Sequence, residues 1–261
     1  MSAGRRLLLG ATVVAAASVV ALVLAGPPLA WLACLVPLAC LALLGVGVMN
    51  PRFAVFADVI CRGTEARPEI ALTFDDGPHP SSTRQVLAAL GGKGARATFF
   101  VLGTKAQKAP EVLREIAAAG HEIGIHGDTH DRRLSLRHPD AIAASLERVS
   151  AAVESATGLR PHLFRPPMGH TSPRTAVAAR RLGLTLVGWS VRSRDGRAST
   201  TAAQATERVL AGLRPGAIIL MHDAAEHDDR APVAATVLPT LLEEIARRGL
   251  QCVTLSQLLR P

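Results

Sequence analysis

The chain has 261 residues, with 29 Lys and Arg against 21 Asp and Glu, a net charge of +8, and 6 Phe and 2 Trp but no Tyr. Its basic excess is scattered in pairs such as Arg132-Arg133, Arg180-Arg181 and Arg247-Arg248. Basic residues are not interleaved with aromatics, so a nucleic-acid partner is excluded. The cysteines show no CxxC spacing, which excludes a zinc ribbon and leaves Cys61 and Cys252 as buried free thiols.

From Leu7 to Pro51 there is no charged residue. Two apolar stretches, Leu7 to Ala25 and Leu29 to Met49, are broken by Gly26-Pro27-Pro28, which cannot continue a helix. Each is about long enough to cross a ~30 Å hydrocarbon layer, so residues 1–50 read as a transmembrane helical hairpin. Residues 7–49 would then contact membrane lipid, and 51–67 would be a linker. A cleaved signal is the competing reading of the first stretch, because Arg5 and Arg6 precede it and Val23-Leu24-Ala25 has the look of a cleavage site. Arg5 and Arg6 ahead of the hairpin, and Arg52, Arg62 and Arg67 behind it, favour the cytoplasmic face of the inner cell membrane. An extracytoplasmic domain would require an inverted hairpin or a second stretch that does not span.

From residue 69 short apolar runs alternate with amphipathic stretches. The pattern predicts strands at 69–74, 97–102, 122–126, 162–165, 184–191, 217–222 and 252–255. Between them it predicts helices at 82–90, 110–119, 139–156, 173–182, 201–213 and 233–248. Ser82 and Ser172 stand as N-caps, and Gly91, Gly120, Gly158, Gly183 and Gly249 as stops. Repeated strand–helix units with continuous apolar strands imply a parallel sheet covered on both faces. Seven strands suit an α/β fold of the distorted (β/α)7 barrel type, with chemistry at the carboxyl ends of the strands.

The unusual polar residues fall on that rim. Asp75 and Asp76 close the first strand before Gly77, and adjacent carboxylates in a closed site resist joint ionisation unless a cation binds one of them. His126 and His130 lie four apart, a spacing that one helical turn would place on one face. With a strand-end Asp they make a ligand trio that leaves positions open, suited to catalytic zinc or to non-haem iron. Arg165 precedes Pro166-Pro167-Met168-Gly169, a stiff turn able to aim a backbone N–H of Met168 or Gly169 at an oxyanion. His222 ends an apolar strand and could give a proton near neutral pH; Trp189 and Asp195 follow the fifth strand.

Taken together, residues 68–261 resemble the polysaccharide deacetylases with a NodB homology domain, carbohydrate esterase family 4. The motifs that carry the likeness are Thr73–Gly77 with its extension Gly77-Pro78-His79-Pro80 and Thr83, Gly120–Gly124 with His126 and His130, Arg165–Gly169, and Ile219–Asp223. The resemblance implies one divalent metal ion, zinc first and cobalt second, held by Asp76, His126 and His130. It implies Asp75 as general base steadied by Arg165, His222 as general acid, and Pro167, Met168, Gly169, Trp189 and Leu220 around substrate and oxyanion. His121 would be a structural residue. The chain departs from the family at Gly127, where Ser or Thr is usual, at Met168, where an aromatic is common, and at Arg192, with Asp195 three residues on.

The expected activity is hydrolysis of the amide of an N-acylated amino sugar, in a polymer, an oligomer or a lipid-linked form. The arginine topology favours a lipid- or nucleotide-linked substrate, acetylated or formylated. A catalytically silent sugar-binding scaffold would show a lost ligand, base or acid, and all five positions are intact. An iron oxygenase would use the same trio, but strand–helix alternation does not suit its usual fold.

Overall fold

In the computed structural model, residues 3–24, 56–226 and 232–260 are described, with scattered positions between 35 and 46. Helix α1 covers Ala3–Leu24. The sheet is built from β1 (Glu69–Asp75), β2 (Ala97–Leu102), β3 (Glu122–Gly127), β4 (Leu163–Phe164), β5 (Thr185–Leu186), β6 (Val191–Arg192), β7 (Ile218–His222) and β8 (Gln251–Cys252). Their order is β5-β4-β3-β2-β1-β7-β6, with β8 also pairing β1, and every ladder is parallel. The result is a curled α/β sheet, consistent with the expected distorted barrel.

Alternation along the strands decides what the curl encloses. Ile70, Leu72 and Phe74 of β1 join the large core under the helices, as do Phe99 and Val101 of β2, Ile123 and Ile125 of β3, and Ile219 and Met221 of β7. The intervening residues Ala71, Phe100, Leu163 and Ile218 form a smaller cluster plugged by Leu255 and Leu258. Thr73, Asp75, Gly124, His126, Leu220 and His222 share the positional parity of that inner set. The strand period therefore delivers polar groups to the inside of the curl above an apolar plug.

The helices follow their local chemistry. Ser172 caps α6 (Pro173–Arg181; the helices before it are Ser82–Gly91, Gly103–Lys108, Pro110–Ala118 and Pro139–Thr157) through a capping box with Thr175. Gly158, at φ 73, closes the helix Pro139–Thr157 in the left-handed conformation that glycine adopts without strain.

Several expectations are corrected. Ser82 lies inside its helix, and Ser81 occupies the N-cap without a side-chain bond. The fifth strand, read as continuous over 184–191, is two short strands, β5 and β6. Between them Ile60 takes the bonding positions, receiving the Gly188 N–H on its carbonyl and donating to Leu186 O. The membrane anchor and its placement at the cytoplasmic face of an inner membrane are also corrected. Among the described residues no helix is long and apolar enough to cross a membrane. Among the described residues, the lipid contact expected of residues 7–49 has no spanning helix to carry it. Apart from scattered positions, the second stretch, Leu29 to Met49, lies outside the described residues.

Cys61 and Cys252 are half-buried thiols outside any disulfide, and burial pushes the Cys252 thiol up to about 12. His121 is buried, takes the Ala97 N–H on Nδ1 at 3.2 Å, and is pushed down to about 4 by burial, helped by Arg96. It is neutral at physiological pH and belongs to the core.

Gly124 shows how tightly the inner layer is packed. A Cβ there would lie 2.6 Å from the Phe100 ring, the ring on which a buried arginine rests. Gly124→Ala is expected to lower unfolding free energy in urea titrations by about 1–3 kcal/mol through overpacking. An unchanged midpoint would refute that packing argument.

Candidate active site

The carboxyl ends of β1, β3, β4 and β7 meet at one rim. Asp75 ends β1, and Arg165 follows β4 with no solvent exposure. Arg165 Nη1 donates to Asp75 Oδ1 at 2.8 Å and to Thr73 Oγ1 at 2.7 Å, while Nη2 donates to Gly188 O at 2.8 Å. Its Cζ stands 4.2 Å from the Phe100 ring centroid, giving the cation an aromatic floor. Burial alone would raise the pKa of Asp75, but Arg165, His126 and His222 outweigh it and hold the carboxyl below its ordinary value.

Asp76 turns away from its neighbour because its backbone is left-handed, with φ 73. His126 lies on β3 and His130 in the loop after it, so a strand and a turn, not the helical turn that their spacing suggested, bring the two rings together. Their centroids are 5.3 Å apart. Asp76 Oδ1 lies 3.4 Å from His126 Nε2 and 3.7 Å from His130 Nε2.

These three residues fit a divalent metal. One ligand atom from each lies within 4.8 Å of the others, and bonds of about 2.1 Å to a tetrahedral ion would hold donors roughly 3.4 Å apart. Asp76 Oδ1 is buried without a hydrogen-bond partner. His126 Nδ1 stands 2.8 Å from Arg165 O and donates to it, which leaves Nε2 as a lone-pair donor facing Asp76. Burial also holds the His126 ring below the usual histidine pKa, although Asp75 and Asp76 oppose that shift.

Across the cleft, His222 ends β7. Its Nδ1 and its backbone N–H both meet Asp195, at 2.8 Å each, and Asp195 accepts the Ser193 hydroxyl at 2.6 Å. Burial would lower the His222 pKa, but Asp195 first, then Asp76 and Asp75, raise it to about 9. The imidazole is therefore protonated at neutral pH. Asp195 thus meets His222 despite the shift of three residues along the chain.

The cleft has a volume of about 470 Å³, and its walls include Asp76, His130, Met168, Arg192, His222 and Glu226. Met168 has φ 59, and among the described residues its N–H makes no intramolecular bond, whereas the Gly169 N–H is given to Pro166 O at 2.8 Å. Pro167 and Gly169 are buried in the turn beneath Met168. Trp189 lies behind the cleft, its ring 5.9 Å from the Arg165 Cζ. Leu220 is buried below His222, where its carbonyl takes the Ser193 hydroxyl at 2.9 Å.

Glu226 had no signal in the sequence, and Asp223 stood in the Ile219–Asp223 motif without an assigned role. Glu226 Oε1 stands 3.2 Å from His130 Nδ1 and pairs with Arg132 at 2.8 Å, in a loop without a motif. Asp223 is buried against the Thr83 hydroxyl, and burial pushes it up to about 7. Its carboxylate occupies the space a Cβ on Gly77 would fill, at 2.1 Å.

A trio able to hold a metal ion on the carboxyl rim of a curled parallel sheet, with an ionised carboxylate and a protonated imidazole beside it, defines the class to which fold and site point. A family model described as polysaccharide deacetylase matches residues 62–187. A peptidoglycan-N-acetylglucosamine deacetylase of Listeria monocytogenes is 34% identical over 189 residues, covering 72% of this chain and 38% of that protein. A chitooligosaccharide deacetylase of Bradyrhizobium is 36% identical over 220 residues, covering 80% of this chain and 97% of the relative. A solved family 4 acetyl xylan esterase from Clostridium thermocellum, in complex with a cobalt ion, superposes with a TM-score of 0.67 at 33% identity, over 73% and 89% of the two chains. The chain belongs to the polysaccharide deacetylase family. It spans 38% of the length of the Listeria relative.

Two measurements check the geometry. Asp76→Ala should reduce bound metal, measured by elemental analysis after zinc loading, to near zero; full stoichiometry would remove the trio from consideration. Activity that needs protonated His222 falls as pH rises through its pKa near 9. Asp195→Asn removes the charge that raises this pKa, so the alkaline limb of kcat/KM should move to lower pH by about a unit or more. A limb that stays in place would show that Asp195 does not tune His222.

Proposed function

We propose that this protein is a divalent-metal-dependent hydrolase that removes the acetyl group from the nitrogen of an amino sugar, with residues 68–261 as its catalytic domain. One observation carries the proposal: Asp75, held ionised, and His222, held protonated, end neighbouring strands in register beside the same three-donor site. Environments that push two titratable groups apart in pKa mark the base and the acid. Both groups are then in their working states at neutral pH.

In this reading Asp76, His126 and His130 hold the cation, zinc first and cobalt second. Bound there, it would polarise the amide carbonyl and make a water more acidic. Asp75 accepts the proton of the attacking water, and Arg165 keeps that carboxylate ionised and in place. The Met168 N–H is free to meet the oxyanion, a contact worth about 10²–10³ in rate where such donors have been removed. Protonated His222 gives its Nε2 proton to the leaving amine, while Asp195 holds Nδ1 and stabilises the positive ring.

The relatives' names supply the substrate class: N-acetylglucosamine polymers and oligosaccharides, with an acetylated xylan as a second substrate because a structural neighbour is an esterase. Acetate release from chitooligosaccharides, peptidoglycan fragments and acetylated xylan, followed by an acetate-specific assay, tests the reading. Chelation should abolish release, and zinc or cobalt should restore it. Asp75→Asn should lower kcat by roughly 10²–10⁴ while leaving metal content unchanged. Near-normal turnover in Asp75→Asn would remove Asp75 as base.

A further inference from the structure

The segment from Arg192 to Arg197 forms one wall of the cleft, and it has two faces. Ser193 and Asp195 point inward, with 0% and 2% exposure, while Arg192, Arg194 and Arg197 are exposed. The inward face is clamped: Ser193 bonds Leu220 O and Asp195, and Asp195 bonds His222 twice. Gly196 is pressed against the same ring, since a Cβ there would lie 2.9 Å from His222 Cε1. Arg194 adopts φ 63, a left-handed backbone that costs a long side chain free energy, and the Arg197 N–H closes the turn onto its carbonyl at 3.1 Å. The outward arginines are therefore mounted on a rigid strap beside the proposed general acid.

All three line the cleft that holds Asp76, His130 and His222. Among the described residues no carboxylate forms an ion pair with any of them. Arg192 instead lies 5.7 Å from the Trp189 ring. Arg132, which also lines the cleft, is already matched by Glu226 at 2.8 Å. Desolvation of its inner part lowers the proton affinity of Arg192, and the neighbouring Arg197 and Arg194 charges lower it further, against Asp75 and Asp195, which raise it. Solvated surface arginines need no such convergence. Three like charges mounted together on the wall of a cleft, none in an ion pair with a described carboxylate, make a recognition element for an anion, and the guanidinium fork suits carboxylate and phosphate oxygens.

We infer that Arg194 and Arg197, with Arg192 beside them, form an anion subsite next to the acetamide position, so that the protein selects amino sugars carrying a carboxylate or a phosphate near the ring that is deacetylated. This deepens the proposed function and rests on it.

The test compares the wild-type protein with an Arg194→Gln/Arg197→Gln double variant, whose changed side chains are exposed. Three oligomers of equal length are used: neutral N-acetylglucosamine, the same with ether-linked carboxylates on alternate rings, and the same with a terminal phosphate. Calorimetry with glucosamine 1-phosphate and with glucosamine gives a readout independent of turnover.

The expected result is a kcat/KM about tenfold or more higher for one charged oligomer than for the neutral one. That ratio should fall at least about fivefold in the variant and in high salt, where exposed charges are screened. Whichever charged oligomer is preferred identifies the anion. Acetate release with no charge preference, or with a preference the variant keeps, overturns the subsite and leaves the deacetylase reading standing. If no oligomer is deacetylated, the deacetylase reading fails and calorimetry decides the subsite. Glucosamine 1-phosphate binding that the variant loses retains it, and equal binding by both proteins removes it.

Discussion

A guanidinium cannot be taken out of water without several kcal/mol of compensation, and at Arg165 the compensation comes from the parts of the site. Thr73, Asp75 and Gly188 take its N–H groups, and Phe100 lies beneath its plane. The Arg165 backbone serves at the same time, because its carbonyl receives His126 Nδ1 and so determines which imidazole nitrogen faces Asp76. One residue thus joins the ionised carboxylate Asp75 to His126. Removing either charge of the pair would strand the other in the interior, which couples the stability of the barrel's inner layer to the integrity of its chemistry.

The same reasoning explains why two acids can sit side by side at the end of β1. Asp75 is neutralised from below by Arg165, whereas Asp76 is turned outward by its left-handed backbone toward two imidazoles and has a buried oxygen without a partner. Such an oxygen is costly unless something binds it. His222 sits opposite with a carboxylate of its own and keeps its proton to about pH 9. Negative charge is thus distributed so that Asp75 is matched by a fixed cation and Asp195 by His222, while Asp76 faces the two imidazoles with which it could hold a metal ion.

Much of this was legible in the sequence wherever the signal was local. Strand ends, helix stops and the family motifs need only neighbouring residues, and Ser172 with Pro173 and Thr175 shows how a cap can be read from three positions. What could not be read depended on distant partners. The spacing of His126 and His130 suggested a helix because i and i+4 face together there, yet the strand of Ile125 pairs with Phe164 and carries His126 into the sheet. The run 184–191 looked like one strand because nothing local announces Ile60 inserting at its middle. Glu226 lies in a loop without periodicity, so its approach to His130 has no linear trace. The apolar N-terminal run was read from hydropathy alone, and among the described residues no helix is long and apolar enough to cross a membrane.

The alternation that builds the sheet also builds the site. In β1, β3 and β7 it sends every second side chain to the helix-covered core and the others inward, where β1 and β7 supply Thr73, Asp75 and His222 above an apolar plug. From Arg192, the last residue of β6, an inward and outward alternation runs on through Asp195 past the end of the strand, although Arg194 is left-handed. There the inward residues are held by hydrogen bonds to Leu220 O and His222. A single covalent period therefore connects core packing, acid orientation and the charge displayed at the cleft. Moving Asp195 by one position would turn its carboxylate to solvent and bring an arginine against His222, so the orientation of the acid and the positive sign of the cleft wall are two consequences of one register.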